Sequence, residues 1–248
     1  MKEMNLIKCI VFILMMFSSV ITYSQFNDSI HHYVNFASTG IINKTNNGNS
    51  YVLTNGLRFN ISKKNIRLNS TNSWIYGEQQ KRLTNNDFSS TLDFNLFKTK
   101  SNFYYWGLAN YDKSYSLKIN NRLQAGLGIA YNIIDTTTAF LNISDGILYE
   151  NSNLKLNDNT NSYNSLFRNS FRLRYRFVIK EIIVFDGTNF LQNSLSDSND
   201  YIIKSINSVS VRLRKWLNIT AATNYNRNQK TNSETLLITF GLTAEKYF

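Results

Sequence analysis

Apolar and polar residues alternate with a period of two along almost all of this chain, and that alternation decides its secondary structure. Side chains two apart on a strand share one face, whereas a helix would scatter the same set around its circumference. In the last segment Leu236, Ile238, Phe240, Leu242 and Ala244 stand against Thr235, Thr239, Gly241, Thr243 and Glu245. Leu217, Ile219, Ala221, Thr223 and Tyr225 alternate with Asn218, Thr220, Ala222, Asn224 and Asn226. Leu123, Ala125, Leu127, Ile129 and Tyr131 alternate with Arg122, Gln124, Gly126 and Gly128. Phe167, Phe171, Leu173, Tyr175, Phe177 and Ile179 alternate with Arg168, Ser170, Arg172, Arg174 and Arg176.

Such segments recur about twelve times, from 33–43 at the start to 233–248 at the end. Many exceed the about five or six residues usual in soluble sheets, and they suit a tilted bilayer crossing, which takes about ten. Segments 103–116 and 181–190 alternate poorly, which leaves their facing open. Composition supports a sheet that is apolar outside and wet inside. Aromatics make up 14% of residues and proline is absent, while mean hydropathy is only −0.31. A barrel wall is polar on one face and aromatic-rich on the other.

The only long apolar run is at the N-terminus. Lys2 and Lys8 flank a short charged region, Cys9 to Ile21 is apolar, and Thr22 and Ser24 place small residues before Gln25. This is the layout of a secretory signal peptide, so residues 1–24 are expected to be cleaved and 25–248 to form one barrel domain. Cleavage removes the only cysteine and leaves the chain basic. Export makes nucleic acid an unsuitable partner for that charge; outer-membrane lipid, small anions and, during insertion, the barrel-assembly machinery are the expected ones.

In lipid an open sheet edge strands backbone donors and acceptors, so the last strand must pair with the first. Lys63-Lys64-Asn65, Lys100-Ser101-Asn102, Lys180-Glu181 and Arg214-Lys215-Trp216 read as tight turns on one side. Asn- and Ser-rich stretches, notably 152–164 and 191–200, read as long loops on the other. Short turns with the termini on one side and long loops outside is the pattern of outer-membrane barrels. The fold expected is therefore an all-β, transmembrane, antiparallel up-and-down β-barrel.

The block Trp106-Gly107-Leu108-Ala109-Asn110-Tyr111-Asp112, followed by Asn121-Arg122-Leu123-Gln124-Ala125-Gly126-Leu127-Gly128-Ile129-Ala130-Tyr131, resembles the family known as DUF481, the salt-induced outer-membrane proteins. Ser38-Thr39-Gly40 with Gly48-Asn49, and the ending Gly241-Leu242-Thr243 before a terminal Phe248, are similar to the same family. Ala130, between Ile129 and Tyr131, departs from its pattern. The resemblance implies an outer-membrane barrel and brings no catalytic residues with it.

The most pointed chemistry is a column of cations. Arg168, Arg172, Arg174 and Arg176 share one face, and Arg212 ends a strand two places along the sheet. Guanidinium forks lining a lumen could steer anions. Equally, they could fill the lumen and pair with interior acids such as Glu150, Asp186 or Glu245, as side chains plug other small barrels. Asp112 and Arg122 are expected to form a structural ion pair, and Gly126 and Gly128 to make room for bulky neighbours. The aromatics are expected on the apolar face and not beside the basic one. His31 and His32 are the only histidines, adjacent and ahead of the strands. No Ser-His arrangement, metal-ligand spacing or cofactor motif stands out, so no enzyme and no cofactor is expected. The leading function is a structural or transport-related barrel, a narrow anion-preferring pore. The alternatives are a non-conducting envelope-stress or adhesion barrel acting through its loops, and a lipid-acting barrel enzyme.

Overall fold

A computed structural model describes residues 32–45, 48–63, 65–97, 102–157 and 160–247. The expected leader 1–24, His31 and the terminal Phe248 lie outside the described residues. The strands are β1 (His32–Thr45), β2 (Gly48–Lys63), β3 (Ile66–Gln79), β4 (Arg82–Phe97), β5 (Phe103–Ser114) and β6 (Ile119–Asp135). They continue as β7 (Ala139–Asn157), β8 (Thr160–Ile179), β9 (Ile183–Ser194), β10 (Tyr201–Arg214), β11 (Leu217–Asn228) and β12 (Ser233–Tyr247). Each pairs antiparallel with its sequence neighbours, and β1 pairs with β12 from Tyr33↔Tyr247 to Gly40↔Phe240. That last ladder closes the barrel and removes both edges.

The outer wall carries the apolar set of each alternation: Leu127 is 73% exposed and Phe240 60%. Aromatic rings meet across neighbouring strands near both ends of this wall, Phe103 against Tyr131 and Tyr149 against Phe167. Polar groups on the outer wall pair with one another, as lipid demands. Tyr175 donates to Asn207 at 2.9 Å, and Ser38 to Asn55 at the same distance. Asn169 donates to Asp145 at 2.9 Å.

The expected long loops are corrected by the structure. β7 and β8 run to Asn157 and from Thr160, so only 158–159 stand between them. β9 runs on to Ser194, which leaves 195–200 before β10. These strand ends carry Asn and Ser on both faces, and Leu154 of β7 is buried with Leu117 and Ile119. Asn151 donates to Ser165 across the hairpin at 2.9 Å, so Asn and Ser make a ladder there. With Asn and Ser on both faces, period two is faint in the sequence. Gln80 and Lys81, both at positive φ (51° and 63°), close β3 to β4 in a two-residue turn of the handedness that strand twist favours.

The poor alternation of β5 also has a cause. The inward side of its first half is apolar: Tyr104, Trp106 and Leu108 pack with Ala130 and Leu148 in the principal core cluster. Gly128 and Gly146 lie opposite each other on β6 and β7. A Cβ on either would fall within 2.7 Å of the Trp106 indole, so the paired glycines provide its seat. At the end far from the termini, Thr231 Oγ1 donates to the Leu117 carbonyl at 3.0 Å. The turn after β5 is thereby tied to the turn after β11 across the mouth.

Candidate functional site

The inward face of β8 enters the lumen as the alternation requires, and most of its arginines find acids there. Arg168 is 1% exposed and donates through Nε to Glu150 at 2.7 Å, and through Nη2 to Asp200 at 3.0 Å. Arg172 pairs with Asp93 on β4, so that this contact crosses the lumen. Arg176 lies 3.5 Å from Asp186 and 3.9 Å from Glu245. Arg212 approaches Glu245 at 3.8 Å. Each acid named from the sequence thus takes an arginine; Asp93, across the lumen, and Asp200, in the segment before β10, were not named.

Further contacts cross the lumen. Asp112 receives Arg122 from the adjacent strand at 2.7 Å, as expected. It also receives Lys204 from β10 at 2.7 Å. Gln124 on β6 donates to Gln192 on β9 at 2.9 Å and to Glu150 at 2.8 Å. Arg58 on β2 reaches Asp186 on β9 at 3.3 Å. Buried ion pairs of this kind hold only when both partners and their remaining lone pairs are satisfied. On the acid side Asp93 is satisfied by also accepting from Asn69 and Asn95, while Nη2 of Arg172 has no partner among the described residues.

The charges are not spread evenly along the axis. Towards the far end Arg122, Arg168 and Lys204 face Asp87, Asp112, Glu150 and Asp200. Towards the terminal end Arg58, Arg172, Arg176 and Arg212 draw on Asp93, Asp186 and Glu245 among the described residues, and Arg174 stands beside them. Arg174 is the odd one out: its side chain makes no ion pair or hydrogen bond with another described residue.

One expectation about the aromatics is corrected. Trp106 and Phe190 are not on the lipid face; they flank Arg172 inside, with its guanidinium 5.3 and 5.8 Å from their ring centroids. A desolvated guanidinium is stabilised against a ring face, and the sequence pattern hides this because aromatics serve both faces.

A closed twelve-strand antiparallel sheet with an apolar exterior and a charged, partly bridged lumen defines a transmembrane β-barrel. The chain matches the family described as "Protein of unknown function, DUF481" over residues 37–245, and it belongs to that family. No curated protein matches it. Among solved structures, the NanC porin is similar at a TM-score of 0.52 and 8% identity, covering 87% of this chain and 99% of that one. An outer-membrane channel from Pseudomonas putida F1 is similar at a TM-score of 0.50 and 9% identity, covering 93% and 100%. At such identities the likeness is one of fold.

Proposed function

We propose that the protein is a narrow outer-membrane channel that passes small anionic solutes, with Arg174, Arg176 and Arg212 steering them at the periplasmic end. The observation that carries this reading is the surplus of arginine over acid in that half of the lumen, with Arg174 bound to no acid. A guanidinium group with no acid of its own, as at Arg174, adds to a positive potential inside low-dielectric walls that concentrates anions and repels cations. Arg168 has a different part: its two acids hold it as a strut, and it shapes the passage more than it charges it.

The cross-lumen contacts favour a second reading, a barrel that does not conduct and serves the envelope through its surface. Currents from purified barrels in a planar bilayer under a potassium chloride gradient separate the two. The channel reading expects discrete openings and a reversal potential on the chloride side, moved towards zero by replacing Arg174 and Arg176 with Gln. Folded barrels that carry no current would leave the structural reading standing.

A further inference from the structure

We propose that Arg172 and Arg174 form a binding site for a small polyvalent oxyanion of the phosphate type, midway along the lumen. The site rests on the anion passage proposed above and names a class of solute for it.

The two residues are two apart on the inward face of β8, which sets their Cα atoms roughly 7 Å apart. One anion can therefore meet both guanidinium groups. Arg172 is fixed before any ligand arrives. Its Nε donates to Ser144 Oγ at 3.0 Å, Nη1 is held by Asp93, and Trp106 and Phe190 cover its faces. The residue is 4% exposed, and its Nη2 is buried with no hydrogen-bond partner among the described residues. An unsatisfied donor on a buried cation costs more than an ordinary lost hydrogen bond.

Arg174 supplies the second fork. Its electrostatic neighbours are Arg172, Asp93, Tyr104 and Asp186. Neither carboxylate is free to pair with it. Asp93 already accepts from Arg172, Asn69 and Asn95. Asp186 already receives Arg58 at 3.3 Å and Arg176 at 3.5 Å. The charge that completes the cluster has to come from solution.

The donor set selects the chemical class. Guanidinium forks reward an anion with several acceptor oxygens, which can accept from both at once, and polyvalence strengthens the interaction in a low-dielectric lumen. A halide offers no such geometry and a monovalent carboxylate half the charge. The deep position between aromatic walls also favours a compact ligand over a chain-like one.

The test is calorimetric titration of inorganic phosphate into the purified, detergent-folded barrel at constant chloride, with acetate as a second ligand. Wild-type protein should bind phosphate saturably and at least tenfold more tightly than acetate. Arg174→Gln should weaken phosphate binding at least tenfold, whereas Lys230→Gln, an equal loss of charge at the turn after β11, should leave it unchanged. Arg174 supports no acid, so its replacement should keep the heat-modifiable mobility of a folded barrel. Absence of saturable phosphate binding, an unaltered affinity in Arg174→Gln, or acetate binding as tightly as phosphate would overturn the proposal. Conductance separates this from the channel reading: a barrel that conducts without binding phosphate loses only the site, and one that binds phosphate without conducting loses only the passage.

Discussion

Lys204 of β10 places its ammonium nitrogen 2.7 Å from Oδ2 of Asp112 on β5, joining two distant walls through the lumen. Asp112 does not depend on it, because Arg122 donates to the same carboxylate through Nε at 3.1 Å and Nη2 at 2.7 Å. Lys204→Met should therefore leave a folded barrel with a wider passage. Single-channel conductance should rise above wild type; an unchanged value would show that Lys204 does not limit the bore.

Asp112→Asn should act in the opposite sense, on stability. The buried Arg122 and the partly buried Lys204 then lose their shared acid, and stranding buried charge costs about 3–5 kcal/mol. Urea unfolding in lipid vesicles should show that loss, and a loss under about 1 kcal/mol would place the pair among weak surface bridges.

Arg168 is predicted to be structural. It alone holds both Glu150 and Asp200 within 3.3 Å, so Arg168→Gln should cost about 3–5 kcal/mol. Arg174→Gln should be nearly neutral for stability. Equal destabilisation by the two would contradict the division of the column into struts and a free cation.

The two faces should differ in their tolerance of charge. Leu127 stands outward and 73% exposed, whereas Ile206 lies on the inward side of β10 between Lys204 and Ser208. Leu127→Arg should cost about 2–4 kcal/mol and lower the folded fraction in membranes. Ile206→Arg, facing water, should be far milder. Similar heat-modifiable folding of both variants would remove the facing assignment.

On the same outer wall, Asp145 sits between Ile143 and Ile147 with Asn169 as its hydrogen-bond partner. Its strand position lies inside the apolar belt, below Tyr149. Asp145→Leu should raise stability in a bilayer by about 1–2 kcal/mol, since acids cost less there than arginine or lysine. Lower stability would mean that the carboxylate has a further partner in the membrane.

The glycine seat of Trp106 gives a spectroscopic readout. Gly128→Val cannot keep the indole where it is, because a Cβ there already falls 2.7 Å from Trp106 and 2.2 Å from the Asp145 carbonyl. The variant should show altered tryptophan emission and a weakened fold. Unchanged emission would put the indole elsewhere.

Period two was enough to read the strand architecture, the twelvefold count and the facing of Leu127, Phe240 and the β8 arginines. Side-chain direction along a strand is a local property, and closure follows from the need to pair every backbone group in lipid. The Asp112–Arg122 pair was legible too, because one turn joins its two strands. Where both sides of a strand share one polarity, as in the Asn-rich ends of β7 and β8 or the aromatic first half of β5, local pattern carries little signal. The cross-lumen contacts belong to tertiary structure alone. Lys204 meets Asp112 across 92 positions and Arg172 meets Asp93 across 79, because barrel closure and stagger set which walls oppose. Register between distant strands therefore decides which arginines are paired with acids and which, like Arg174, are not.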